Sequence, residues 1–182
     1  TIETGPIDLA SGFERERKPV NENFTLIPRR TGKATKGEAG DITIRSKNST
    51  IDTTGGTINS RSPDGTGNIT LNAKGNITTG KLEASALNEL TPTTGGDVNI
   101  TSEQGEINAT QNIETFSEKG TAGDVKLTSP GSINIRGIRS EGMEQGGDIQ
   151  VNSERGEINS TGNIDSYSEA GRGGNIKVNA PE

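Results

Sequence analysis

The sequence predicts an all-β fold, a three-sided right-handed parallel β-helix with coils of about 24–29 residues. Three observations predict it. The string Gly-(Asp/Asn)-apolar-x-apolar begins at Gly40, Gly67, Gly96, Gly123, Gly147 and Gly174, at spacings of 27, 29, 27, 24 and 27 residues. The unit starting at Gly96 returns 51 residues later at Gly147, with 14 of 27 aligned positions identical. Within each unit, apolar residues alternate with polar ones over short spans, the period of a strand with one buried face.

The apolar residues fall into three columns. Ile42/Ile44, Ile69/Leu71, Val98/Ile100, Val125/Leu127, Ile149/Val151 and Ile176/Val178 make the first. Ile51, Ile77, Ile107, Ile133 and Ile158 make the second, and Ile58, Leu82, Ile113, Ile138 and Ile164 the third. Gly, Asn, Asp and Ser between columns mark turns. Each unit is therefore three strands and three corners. Its four or five apolar side chains cannot offset the backbone entropy of some 27 residues. Stacked units gain inter-coil hydrogen bonds and a continuous core. A β-sandwich is the alternative, but its strands do not repeat identical inward residues at one fixed period.

The organisation read from this is residues 40–182 as solenoid, 10–39 as an insert and 1–9 as a strand segment. In the insert, ERERKP and PRRTGKATKGE read as loops, and Asn23–Pro28 resembles Asn68–Ala73 and reads as one strand of a degenerate coil. Phe13 and Phe24 are expected to cover a solenoid face or end, or to meet a neighbour.

The two terminal stretches match each other. GNIKVNAPE (Gly174–Glu182) supplies the first strand and corner of a unit. TIETGPIDLAS supplies the continuation, with Ile2, Thr4, Gly5, Ile7 and Asp8 falling on Ile77, Thr79, Gly80, Leu82 and Glu83. Joining Thr1 to Glu182 keeps the register with no residue missing. The expectation is head-to-tail association, the coil begun by one copy being completed by Thr1–Leu9 of the next. The interface residues are then Ile2, Thr4, Ile7, Leu9, Phe13, Phe24, Ile176, Val178 and Pro181. A piece of a longer solenoid would show the same match, because its coils look alike.

Composition removes several chemistries. The chain has no His, Cys or Trp, which excludes thiol nucleophiles, His-based triads and disulfides. A net charge of −6 and 2% aromatics argue against nucleic-acid binding. No apolar run approaches the length of a membrane-spanning helix. No cofactor is expected. One acidic column, Asp41, Asp97, Asp124 and Asp148, with Asn68 and Asn175 in equivalent places, has three readings: corner capping, a cation site or an acid/base pair. The interchange of Asp and Asn favours capping, since both cap N–H groups and only one is an acid. Glu103/Glu154, Glu106/Glu157 and Glu118/Glu169 read as a solvated face. Phe116 and Tyr167, equivalent and two coils apart, read either as a ligand platform or as packing against a corner or a neighbour. Asn108/Asn159 and Asn112/Asn163 are expected to form amide ladders.

Repeats such as GDITI, GGTINS, GNITL and GNITTG resemble the filamentous-haemagglutinin-type repeats of large bacterial surface proteins, above all the Gly/Asn/Thr-rich versions common in cyanobacteria. The resemblance covers residues 40–182, with 1–9 added if the seam is right. It implies a right-handed β-helix, export from the cell and adhesive or fibrous roles, and it carries no catalytic residue. The function expected is a non-enzymatic extracellular structural subunit that polymerises with itself. Cell-surface glycan or neighbouring fibres are its further partners. The alternatives are a stalk of a secreted adhesin and a polysaccharide-active β-helix enzyme.

Overall fold

The computed structural model describes residues 39–181, together with the backbone of Ile2–Glu3 and Ile7–Ala10. Thr4, Phe13 and Phe24, and the strand expected within Asn23–Pro28, lie outside the described residues. A first half-turn holds β1 (Ile2–Glu3) and β2 (Ile7–Ala10). Five complete turns follow. They are β3 to β5 (Ile42–Ser46, Ile51–Thr53, Ile58–Ser62), β6 to β8 (Ile69–Ala73, Ile77–Thr79, Leu82–Ala86), and β9 to β11 (Val98–Ser102, Ile107–Ala109, Ile113–Ser117). Then come β12 to β14 (Val125–Ser129, Ile133–Ile135, Ile138–Gly142) and β15 to β17 (Ile149–Ser153, Ile158–Ser160, Ile164–Ser168). Strand β18 (Ile176–Asn179) opens a further turn.

Every third strand pairs in parallel, giving three six-stranded sheets. Sheet A runs β1-β4-β7-β10-β13-β16, sheet B runs β2-β5-β8-β11-β14-β17, and sheet C runs β3-β6-β9-β12-β15-β18. Registers follow the sequence columns without slippage, as in Ile77↔Ile107↔Ile133↔Ile158. The chain is thus an all-β, three-sided parallel solenoid. Its core is a stack of Ile, Leu and Val, with Ile69, Leu71, Ile77, Leu82, Ile100, Ile107 and Ile113 fully buried.

The glycine opening each repeat is required by close approach between turns. A Cβ on Gly67, Gly96, Gly123, Gly147 or Gly174 would lie 2.1–2.4 Å from the backbone of the equivalent glycine one turn earlier. On Gly40, the first of the column, a Cβ meets no described atom within 4 Å.

Hydroxyls inside the corners tie turns together, a feature the sequence columns did not single out. Ser140 Oγ donates to the Gly123 carbonyl at 3.0 Å and accepts from the Gly147 N–H at 2.8 Å. Ser60 does the same between Gly40 and Gly67, and Ser166 between Gly147 and Gly174. At another corner Ser129 donates to the Gly105 carbonyl and accepts from the Gly131 N–H. Each such hydroxyl satisfies backbone groups that a tight corner would otherwise bury without a partner.

Candidate assembly interface

Solenoid ends are sheet edges, and an unpaired edge is a template for another chain. At the C-terminal end the last strands are β16, β17 and β18, none of them covered by a further described strand. The apolar columns therefore surface here. Ile176 and Val178 are each 46% exposed, whereas Ile149 and Val151, one turn back, are buried. Ile158 and Ile164 are half-buried.

The two ends are stepped in opposite senses. At the N-terminal end, among the described residues, sheets A and B begin with β1 and β2, and sheet C begins in the next turn with β3. At the C-terminal end, sheet C continues to β18, while A and B finish one turn earlier with β16 and β17. One end offers two strands of a turn and the other offers the third. Laid end to end, β18 of one copy with β1 and β2 of the next make a whole turn. All three sheets then continue, β1 on β16, β2 on β17 and β3 on β18.

Ile2, Ile7 and Leu9 lie on the N-terminal edge, paired with Ile51, Ile58 and Ser60. These are the columns expected from the sequence, since Ile51 pairs Ile77 and Ile58 pairs Leu82. Ile176, Val178 and Pro181 belong to the opposite end. No single molecule brings the two groups together. Strands β1 and β2 are backed by the chain's own β4 and β5, so they form a docked half-turn.

The acidic column runs along the outside of the first corner. The N–H of Asn68 donates to Asp41 Oδ1, that of Asp97 to Asn68 Oδ1, and that of Asp124 to Asp97 Oδ1, at 2.7–2.8 Å. Asp148 N–H donates to Asp124 Oδ1 and Asn175 N–H to Asp148 Oδ1, both at 2.7 Å. Each side chain thus caps the next turn, which an amide does as well as a carboxylate. Burial pushes the Asp124 carboxyl above its ordinary range, and the charges of Asp97 and Asp148 add to the rise against the opposing Asp148 N–H. Asn175, the last described member of the column, also donates from Nδ2 to Asp148 Oδ1 at 3.2 Å.

Two smaller expectations are corrected. Asn159 Nδ2 donates to Oδ1 of Asn134, its neighbour one turn away, at 3.2 Å, so the amide stack includes a residue the Asn108/Asn159 match skipped. Asn112 and Asn163 are not joined as a ladder, because Gly137 occupies the turn between them and Asn112 Nδ2 instead reaches Glu114. Glu103, Glu106, Glu154, Glu157 and Glu169 are exposed, and Glu118 is half-buried.

No protein-family model, curated protein or solved structure matches the chain. The resemblance to haemagglutinin-type repeats rests on the repeat residues and on the solenoid itself.

Proposed function

We propose that this chain is a building block of an extracellular fibre, stacking head to tail so that β18 of one copy and the β1–β2 half-turn of the next complete one turn. The observation that carries the reading is the opposite step of the two described ends, sheets A and B opening with β1 and β2 and sheet C closing with β18. Stacking would cover Ile176 and Val178, satisfy the edge strands on both sides and extend the capping column from Asn175 to the Asp41 N–H of the next copy. The join also sets a neutral side chain beside a carboxylate, which avoids like-charge repulsion there. An enzymatic role finds little support along the column, where Oδ1 of Asp124 is engaged by a backbone N–H.

Gly40 provides the test. In a fibre it faces Gly174 of the preceding copy with the spacing that excludes a Cβ elsewhere in the column. The wild-type chain is expected to form filaments above a critical concentration, read by light scattering and electron microscopy. Gly40→Val is expected to fold with an unchanged circular dichroism spectrum and to stay monomeric. Filaments formed equally well by Gly40→Val would overturn the reading. A wild-type chain that stays monomeric at all concentrations would favour a stalk continued by its own polypeptide.

A further inference from the structure

The outer face of sheet B and the corner beside it hold features that the stacking of turns does not need. Phe116, Glu141 and Tyr167 are consecutive in one outward column of β11, β14 and β17. The two rings are therefore two rungs apart, about 10 Å at the usual strand spacing. Phe116 is half-buried and Tyr167 is 44% exposed, so both side chains keep some surface open to water along the solenoid axis.

Beside this column lies a shallow polar groove of about 790 Å³ at the corner between sheets A and B. It exists because the link β13–β14 has two residues, Arg136–Gly137, while the turns on either side use three, Thr110–Asn112 and Thr161–Asn163. The short corner recedes between its neighbours. The groove is lined by the amides of Asn108, Asn134 and Asn159, again spanning two rungs, and by Arg136, Arg139 and Asp165.

The charges of this face cancel. Lys81 bridges Glu83 at 3.1 Å and Glu114 at 2.7 Å, Arg61 pairs with Glu83, and Arg139 pairs with Glu141. The positive charge of Arg136 is offset by the negative charge of Asp165 on the same groove. A polyanion or polycation would find no net field here. Polar groups that donate and accept beside two aromatic side chains at a fixed interval suit a ligand with hydroxyls at its edges and C–H faces between them.

We propose that this face binds an uncharged β-1,4-linked polysaccharide lying along the solenoid axis. Sugar rings two residues apart stack on Phe116 and Tyr167, and Arg139 and Asp165, the groove residues on the same sheet as the rings, bond the hydroxyl edge. The two-rung interval is near the disaccharide repeat of such an extended glycan. The site uses one molecule's lateral face and stands whether or not the chain polymerises.

Tyr167 is the only tyrosine and there is no tryptophan, so intrinsic emission reports this position alone. The test is titration of the full chain, kept monomeric by Gly40→Val if filaments form, with cellohexaose, chitohexaose and hexagalacturonate. An uncharged hexasaccharide is expected to give a saturable change in tyrosine emission, with cellobiose or chitobiose at least about tenfold weaker because one platform is lost. Phe116→Ala is expected to weaken hexasaccharide binding about tenfold while leaving the unliganded emission and the fold unchanged. Tyr167→Phe, followed by calorimetry, should retain binding that Tyr167→Ala loses. Absence of saturation by both uncharged hexasaccharides, tighter binding of hexagalacturonate, or an unaltered affinity in Phe116→Ala would each overturn the proposal.

Discussion

The turn that begins at Gly96 and the turn that begins at Gly147 are near-duplicates in sequence, yet they differ in burial. Ile107 and Ile113 of the first are 0% exposed, whereas their counterparts Ile158 and Ile164 are only half-buried. Thr115 is buried and its counterpart Ser166 is not. The difference does not come from residue type, because isoleucine stands opposite isoleucine. It comes from what lies on the far side. The first turn has a complete turn on each side, and the second is followed by β18 alone. In a solenoid, burial belongs to a pair of neighbouring turns, and a coil's sequence states only which residues are available to be buried.

This comparison can be sharpened by matched substitutions, beginning with the largest effect. Ile107→Ala is expected to lower unfolding stability by about 2–5 kcal/mol, since the cavity cannot collapse between two turns. Ile158→Ala in the monomer should cost clearly less, because the wild-type side chain is already partly in water. If the chain assembles, the two costs should converge in the filament. Urea denaturation of monomer and filament reads both.

A second pair uses the glycine column. Gly123→Ala puts a methyl about where the Gly96 carbonyl oxygen stands, 2.1 Å away, and is expected to cost about 1–3 kcal/mol through displacement of the backbone. Gly40→Ala should leave monomer stability unchanged. Thermal unfolding of the two variants side by side tests this, and equal losses would mean that Gly40 is already covered within its own chain.

A third pair uses the capping column. Asp97→Ala removes the acceptor for the Asp124 N–H and is expected to cost about 0.5–1.5 kcal/mol, while Asp97→Asn keeps the acceptor and most of the stability. Asn175→Ala removes an oxygen with no described turn to cap and an exposed Nδ2–H bond to the Asp148 carboxylate, and its monomer should lose less than Asp97→Ala does.

The smallest effect is a pH dependence. The Asp124 carboxyl is raised in the folded state, first by burial and then by Asp97 and Asp148, so its ionisation opposes folding. The penalty is absent below the unfolded-state pKa, grows as pH rises through the folded-state value, and is complete above it. Asp124→Asn keeps an oxygen for the Asp148 N–H and is expected to be more stable than wild type at pH 7. The difference should vanish near pH 3. A variant no more stable than wild type at neutral pH would show that the carboxylates of the column do not strain one another.

Most of the fold was legible because each level of the sequence repeats the same message. Ile77, Ile107, Ile133 and Ile158 carry one residue type at spacings of 30, 26 and 25, near the length of one coil, and that column became one sheet. The internal hydroxyls were overlooked for a physical reason. Ser129 and Ser153 continue the inward parity of Val125-x-Leu127 and Ile149-x-Val151, but a search for apolar residues stops one position short of them. Parity alone would have found them. The step between the ends was also legible, because the matching of Ile2 with Ile77 and of Ile7 with Leu82 fixes which strands each terminal stretch supplies. The corner groove was not, since it arises from a one-residue shortening at Arg136–Gly137 whose effect depends on the turns above and below. The pairing of Arg139 with Glu141 and of Lys81 with Glu83 and Glu114 likewise depends on which side chains share an outer face.

The axial repeat of the assembled material tests the central claim most directly. Among the described residues each copy contributes eighteen strands to three sheets, which make six rungs, and a helical reconstruction should give a rise of about 29 Å per subunit with unbroken strand spacing across the seam. A rise that is not six strand spacings, or subunits associated side by side with β18 left open, would contradict it.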